Sequence, residues 1–227
     1  MKLSIPCMAI IGAAFLAHTA NVQAQFVPVP SGYEPRPPGP FYLGADLGGS
    51  LLQNVTIKSA GAKASFDAGV RGDITFGYQF APVLAVEFQT GSLWNRMNNV
   101  NGFFGGIAEH ADLYQVPFLA NLVCKVPFGG GFSGYIGGGG GGVASSLDIT
   151  EFSLFDRHHH DTDTDVTFAY QGLAGIKYAI TPDMEVDVGY KFLGTGNHTW
   201  FDEDPALFTH TGPVYSHSIL ASFTWHF

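Results

Sequence analysis

The feature that most constrains this chain is a two-residue rhythm of apolar and polar side chains, interrupted by connections that are alternately long and very short. In residues 184–194, Met184, Val186, Val188, Tyr190 and Phe192 share one face, while Glu185, Asp187, Gly189 and Lys191 share the other. That period belongs to an extended strand. Residues 64–80 repeat it, with Val70, Ile74, Phe76, Tyr78 and Phe80 opposite Arg71, Asp73, Thr75 and Gln79, and Gly72 among the apolar set. In 214–227, Tyr215, Ile219, Ala221, Phe223, Trp225 and Phe227 alternate with Ser216, Ser218, Ser222, Thr224 and His226, with His217 and Leu220 as breaks.

The same reading along the chain predicts eight strands, at 41–53, 64–80, 83–96, 110–126, 131–147, 164–180, 184–194 and 214–227. Each reaches the roughly 9 to 11 residues that a tilted strand needs to cross a bilayer. The short connections, Ala81-Pro82, Pro127 to Gly130 and Thr181-Pro182-Asp183, are built from residues that set turn geometry. The long ones, near 54–63, 97–109, 148–163 and 195–213, are polar and fall between every other pair of strands. Short turns therefore gather at one end and long loops at the other, the asymmetry of bacterial membrane barrels. The expected fold is all-β, an eight-stranded antiparallel up-and-down transmembrane β-barrel.

Alternation alone leaves the faces unassigned, because a secreted lipocalin-like barrel would turn its apolar face inward. The loop asymmetry, the aromatic C-terminus and the large aromatics near strand ends (Tyr42, Tyr78, Trp94, Tyr178 and Trp225) favour the inverted, membrane arrangement. The predicted interior charge network is then Asp46, Arg71, Asp73, Glu87, Lys125, Lys177, Glu185, Asp187 and Lys191. Five acids meet four bases, the near-balance that a confined interior demands, since an unpaired charge withdrawn from water is costly.

The chain opens with Lys2, an apolar stretch from Ile5 to Ala17 and Val22-Gln23-Ala24, which predicts a signal peptide over 1–24 and hence export. Residues 25–40, QFVPVPSGYEPRPPGP, read as a proline-rich periplasmic linker. Of two cysteines, Cys7 falls in the leader, so Cys124 has no internal disulfide partner. The formal charge of −9 becomes one unit more negative when Lys2 is removed, which disfavours nucleic acid as a partner. The run Gly137 to Gly142 lacks the Lys-Ser or Lys-Thr and the helix of a phosphate loop, and reads as a crowded strand.

With its leader, eight strands, four long loops and the ending Ser222-Phe223-Thr224-Trp225-His226-Phe227, the chain resembles the OmpA-type and opacity-type outer-membrane β-barrel family over roughly 41–227. The opening Phe41-Tyr42-Leu43-Gly44-Ala45-Asp46-Leu47-Gly48 looks like the first strand of that family. The resemblance implies a bacterial outer-membrane location and makes Phe223, Trp225 and Phe227 an expected assembly signal for the barrel assembly machinery. No peptidoglycan-binding domain follows the strands, so cell-wall anchoring is not expected.

No cofactor is expected. The cluster at 156–165 offers His158, His159, His160 and Asp161 as weak metal candidates, since imidazole and carboxylate together bind divalent ions. Its spacing matches no defined zinc motif, and a solvated loop is the simpler reading. His217 with Ser216 or Ser218 makes no dyad, because neighbouring strand residues point to opposite faces. The expected role is a non-enzymatic, envelope-structural and surface-interacting barrel. Its expected partners are outer-membrane lipid and lipopolysaccharide and, through the four long loops, a host or surface ligand. A narrow porin-like channel for small or apolar solutes is the alternative, and an outer-membrane lipid-modifying enzyme a second.

Overall fold

A computed structural model describes residues 39–57, 62–101, 108–154, 157–158, 161–200 and 209–227. The predicted leader and nearly all of the proline-rich linker lie outside them. Eight long strands account for the barrel: β1 (Phe41–Leu52), β2 (Gly69–Ala81), β3 (Leu84–Asn101), β4 (Ala108–Gly129), β5 (Phe132–Leu154), β6 (Asp161–Thr181), β7 (Met184–Thr195) and β8 (Tyr215–His226). Each pairs antiparallel with the next, and β8 pairs back onto β1 from Tyr42 opposite His226 to Leu52 opposite Ser216. Closure leaves no edge whose backbone N–H and C=O groups would go unpaired in lipid.

The three tight connections fall at Pro82–Val83, Gly130–Gly131 and Pro182–Asp183. The middle one comes later than the sequence suggests. β4 continues through Pro127 and Phe128 with a register shift, and Gly129, Gly130 and Gly131 take φ of 96°, 63° and 85°, which only glycine adopts at little cost.

The predicted strand 64–80 is two pieces. Ala62–Phe66 pairs with the far end of β3 and with Val55–Ile57, and the chain resumes as β2 at Gly69. The break is held from a distance: the buried Asn95 amide donates to the carbonyls of Ser50 and Asp67, each at 3.2 Å. At the long-loop end the strands run further than expected, β3 to Asn101, β5 to Leu154, β4 from Ala108 and β6 from Asp161, so much of the predicted loops 97–109 and 148–163 is paired hairpin. Polar side chains do not stop a ladder beyond the membrane, because both faces are then in water.

The outer surface carries an apolar belt that includes Leu47, Ile74, Phe88, Phe118, Ile136, Phe168, Val188 and Ile219, all well exposed. Water-soluble monomers rarely expose so extensive an apolar surface, whereas a lipid-facing wall requires one. Tyr78, Tyr178 and Trp225 lie outward, near the short turns, as expected of interfacial aromatics. Tyr42 does not. It points inward and is buried, because its ring crosses Gly77, where an added Cβ would stand 2.0 Å from Cζ, and its hydroxyl reaches Glu87.

Candidate functional site

The inward positions of the eight strands build a stratified interior. Near the short turns, Tyr42 donates to Glu87 at 2.7 Å, and Glu185 of β7 bonds Lys125 of β4. Glu185 also lies 4.0 Å from Lys177 and 3.5 Å from the His226 ring. Lys177 is 3.5 Å from Asp187, which accepts the Tyr135 hydroxyl at 2.8 Å, and its ammonium sits 5.2 Å from the Tyr135 ring centroid. Glycines make room: a Cβ on Gly189 would meet the Tyr135 hydroxyl oxygen at 2.1 Å.

Above this layer, Lys191 bonds Asp46 and, at 3.0 Å, Asp73. Arg71 is fully buried, its Nε 2.9 Å from Asp73 and its Nη2 2.7 Å from Gln171 Oε1. Gln171 in turn donates to Gln89 at 3.0 Å and to Asn121 at 3.4 Å. All nine charges of the predicted network thus face the interior, linked by neutral partners that an alternating pattern does not single out: Tyr42, Tyr135, Gln89, Asn121 and Gln171. Pairing of this kind is the condition on which buried charge is tolerated.

Towards the long loops the interior changes character. Leu93, Leu119, Val143, Ala169 and Leu193 pack into a buried cluster, and Leu52, Val55, Leu113, Leu147 and Val214 form a second one with Phe66 and Met97. The polar lining expected from alternation therefore covers only part of the interior. Next to the first cluster the β3–β4 ladder has no pairing between Thr90–Phe118 and Leu93–Gln115, where the buried Pro117 has no N–H to offer.

A clasp that the sequence does not announce closes the end beyond β7. The buried His198 sits between Asp165, at 3.0 Å from Nδ1, and the Thr195 hydroxyl, at 2.9 Å from Nε2. The Thr195 oxygen also accepts the Val214 N–H at 3.1 Å, and the His198 carbonyl accepts the Thr211 N–H. Burial holds His198 below the ordinary imidazole range, with Asp165 pulling the other way. An acid, an imidazole and a hydroxyl stand in series here, with Thr195 and His198 both buried, and their bonds tie the connection after β7 to β6 and to the Thr211–Val214 segment.

The other candidates fall as follows. Ser216 and Ser218 are buried inward, whereas His217 faces outward and bonds Tyr190 and Gln53, so the three do not converge. His158 lies on the short strand Arg157–His158 paired with Ser153 and Leu154, and Asp161 opens β6 opposite Ile149; His159 and His160 lie outside the described residues. Among the described residues no cluster of three metal-ligating side chains occurs. Phe223, Trp225 and Phe227 all face outward, and Phe227 is tied to β1 by its N–H on the Phe41 carbonyl at 2.9 Å.

The outer membrane protein beta-barrel domain matches residues 11–227 of this sequence. The chain belongs to that family. Among solved structures, the barrel is similar to Neisserial surface protein A (NspA), at 17% identity and a TM-score of 0.53, covering 83% of this chain and 98% of that one. It is similar to OprG from Pseudomonas aeruginosa at 18% and 0.53, covering 84% and 97%. AlkL, determined in DMPC lipid bilayers, aligns at 14% and 0.51, covering 89% and 96%. Likeness at such identity is one of fold. No curated protein sequence matches the chain. The outer membrane protein beta-barrel family and the lipid-facing belt place this protein in the bacterial outer membrane. In such barrels the short turns face the periplasm and the long loops the exterior.

Proposed function

We propose that this protein is a non-enzymatic outer-membrane barrel whose wall supports the envelope and whose loops 54–63, 97–109, 148–163 and 195–213 meet a surface or host ligand. The observation that carries the reading is the filled interior: the buried cluster of Leu93, Leu119, Val143, Ala169 and Leu193 packs above an interlinked network of ion pairs. Eight strands enclose just enough room for such packing. An interior filled in this way among the described residues leaves the outward belt and the loops as the working surfaces. The test joins two measurements. The purified barrel gives no reproducible conductance steps in planar bilayers, and deletion of the gene changes envelope permeability or surface adhesion; steady channel currents, or a deletion silent in both assays, contradict the reading.

One observation favours a second reading, passage of a small apolar solute: the outer cluster around Leu52, Leu113 and Val214 is apolar where an aqueous mouth would be polar. Uptake of an apolar dye into barrel-loaded vesicles faster than into plain ones would support it. Phe223, Trp225 and Phe227 are proposed as the signal for the assembly machinery. Replacing Phe227 by Ala is expected to leave unassembled chain in the periplasm, read by protease sensitivity, and normal assembly would remove the assignment.

A further inference from the structure

On the outer half of β6, β7, β8 and β1, the lipid-facing surface carries a patch of rings bonded to one another. Tyr170 of β6 leans across Gly194 of β7, where an added Cβ would lie 2.5 Å from its Cζ, and its ring centroid is 6.1 Å from that of Phe192. Phe192 of β7 stacks on Tyr215, centroids 6.0 Å apart and planes 17° from parallel, and lies 5.3 Å from the His217 ring. Tyr190 Oη is 2.6 Å from His217 Nδ1, and Gln53 Nε2 is 2.8 Å from His217 Nε2. With the Gln53 amide nitrogen donating to Nε2, the His217 ring donates from Nδ1 to the Tyr190 hydroxyl.

The opposite rim is built differently. There Phe41 packs with Phe76, Tyr78 and Phe227, and Trp225 with Phe227, so bare hydrocarbon rings dominate. Directly towards the membrane centre from the outer patch, on the same four strands, Leu47, Ile176, Val188 and Ile219 are 58–67% exposed. The patch is thus continuous with the lipid interface and differs from it only in its polar edges. A ring face accepts the C–H side of a sugar, while the phenol hydroxyls and the remaining amide atoms of Gln53 exchange hydrogen bonds with its hydroxyls, and His217, engaged at both ring nitrogens, holds Tyr190 and Gln53 in position. The hydrocarbon strip beneath accepts acyl chains.

We propose that this patch docks a saccharide-headed amphiphile of the outer leaflet, its sugars on Tyr170, Tyr190, Tyr215 and His217 and its acyl chains along the strip below. The inference rests on the long loops facing outward, and not on what those loops bind.

The test uses the full-length barrel in phosphatidylcholine nanodiscs carrying lipopolysaccharide, lipid A without core sugars, or phosphatidylglycerol, with retained lipid counted by native mass spectrometry. Lipopolysaccharide and lipid A, whose headgroup is itself a disaccharide, are both expected to be retained over phosphatidylglycerol. The double variant Tyr190→Phe/His217→Leu is expected to weaken retention on the order of fivefold to tenfold, the scale of one or two lost hydrogen bonds. His217→Gln, which keeps a donor and an acceptor, is expected to retain most of it. Heat-modifiable gel migration verifies that each variant is folded. Equal retention of phosphatidylglycerol, or an unchanged double variant, would overturn the proposal, and neither outcome depends on adhesion or conductance.

Discussion

Tyr42 and Glu87 are joined by a 2.7 Å hydrogen bond although their strands are not neighbours. The tyrosine on β1 spans the intervening β2 by lying over Gly77 and reaches the carboxylate on β3 from inside the barrel. The bond thus cross-braces three strands at the periplasmic end. Two kinds of substitution separate its parts. Tyr42→Phe removes a hydrogen bond to a buried carboxylate and is expected to cost about 1.5–3 kcal/mol. Gly77→Val leaves the bond's partners in place but drives Cβ into the ring, at a cost of about 1–3 kcal/mol or more. Urea unfolding of the barrel in lipid vesicles measures both, and wild-type midpoints would show that the brace carries no load.

Arg71 is the most confined charge of the interior, with Asp73 and Gln171 as its partners. Arg71→Met leaves Asp73 buried with Lys191 as its remaining cationic partner, and a loss of about 3–5 kcal/mol is expected. Adding Asp73→Asn removes the stranded charge. Because the two residues share one network, the double variant is expected to be more stable than Arg71→Met alone, measured by the same unfolding cycle. Strict additivity of the two losses would contradict the coupling.

The parts of this structure legible in the sequence are those where one strand decides its own pattern. Residues 184–194 expose their face assignment directly, since alternate residues meet lipid and interior, and Glu185, Asp187 and Lys191 could be placed inward from their neighbours. Tyr42 was not legible as interior, because a tyrosine suits a membrane rim as well as a buried carboxylate. Leu93 is masked by the adjacent Trp94: two apolar residues in succession break the alternation, although one turns in and the other out. The break before Gly69 depends on Asn95, and the clasp joins Asp165 to His198, 33 residues away. Such features follow from closure of the barrel and have no local signature.

The His198 clasp carries a pH dependence whose sign can be stated. Burial lowers the imidazole's affinity for a proton below that of the unfolded chain, whose ordinary value is 6.5. The unfolded or opened state therefore binds more protons, and the stability of the closed clasp is full above 6.5 and falls as the pH drops through 6.5 towards the folded value. Amide exchange at Thr211 and Val214, corrected for intrinsic rates, is expected to speed up between pH 7.5 and pH 5, on the order of one unperturbed imidazole titration. His198→Gln is expected to flatten that dependence. Protection that is constant across the range in the native protein would show that the clasp does not sense the imidazole.

Leu93 is completely buried against Leu119, Val143, Ala169 and Leu193, an apolar cluster on the long-loop side of the charge network. Leu93→Ala is expected to cost about 2–5 kcal/mol, the transfer of a leucine plus the cavity it leaves. The single truncation leaves four apolar neighbours, and a cavity lined by such groups stays dry. Truncating Leu93, Leu119 and Leu193 together to serine widens the gap and lines it with hydroxyls, which removes both barriers to water. The triple variant is expected to show discrete conductance steps in planar bilayers, while the native barrel and Leu93→Ala show none. Silence from a folded triple variant, identified by heat-modifiable migration, would contradict the assignment of the barrier to this layer and move it to the outer cluster around Leu52 and Leu113 or to the charge network below.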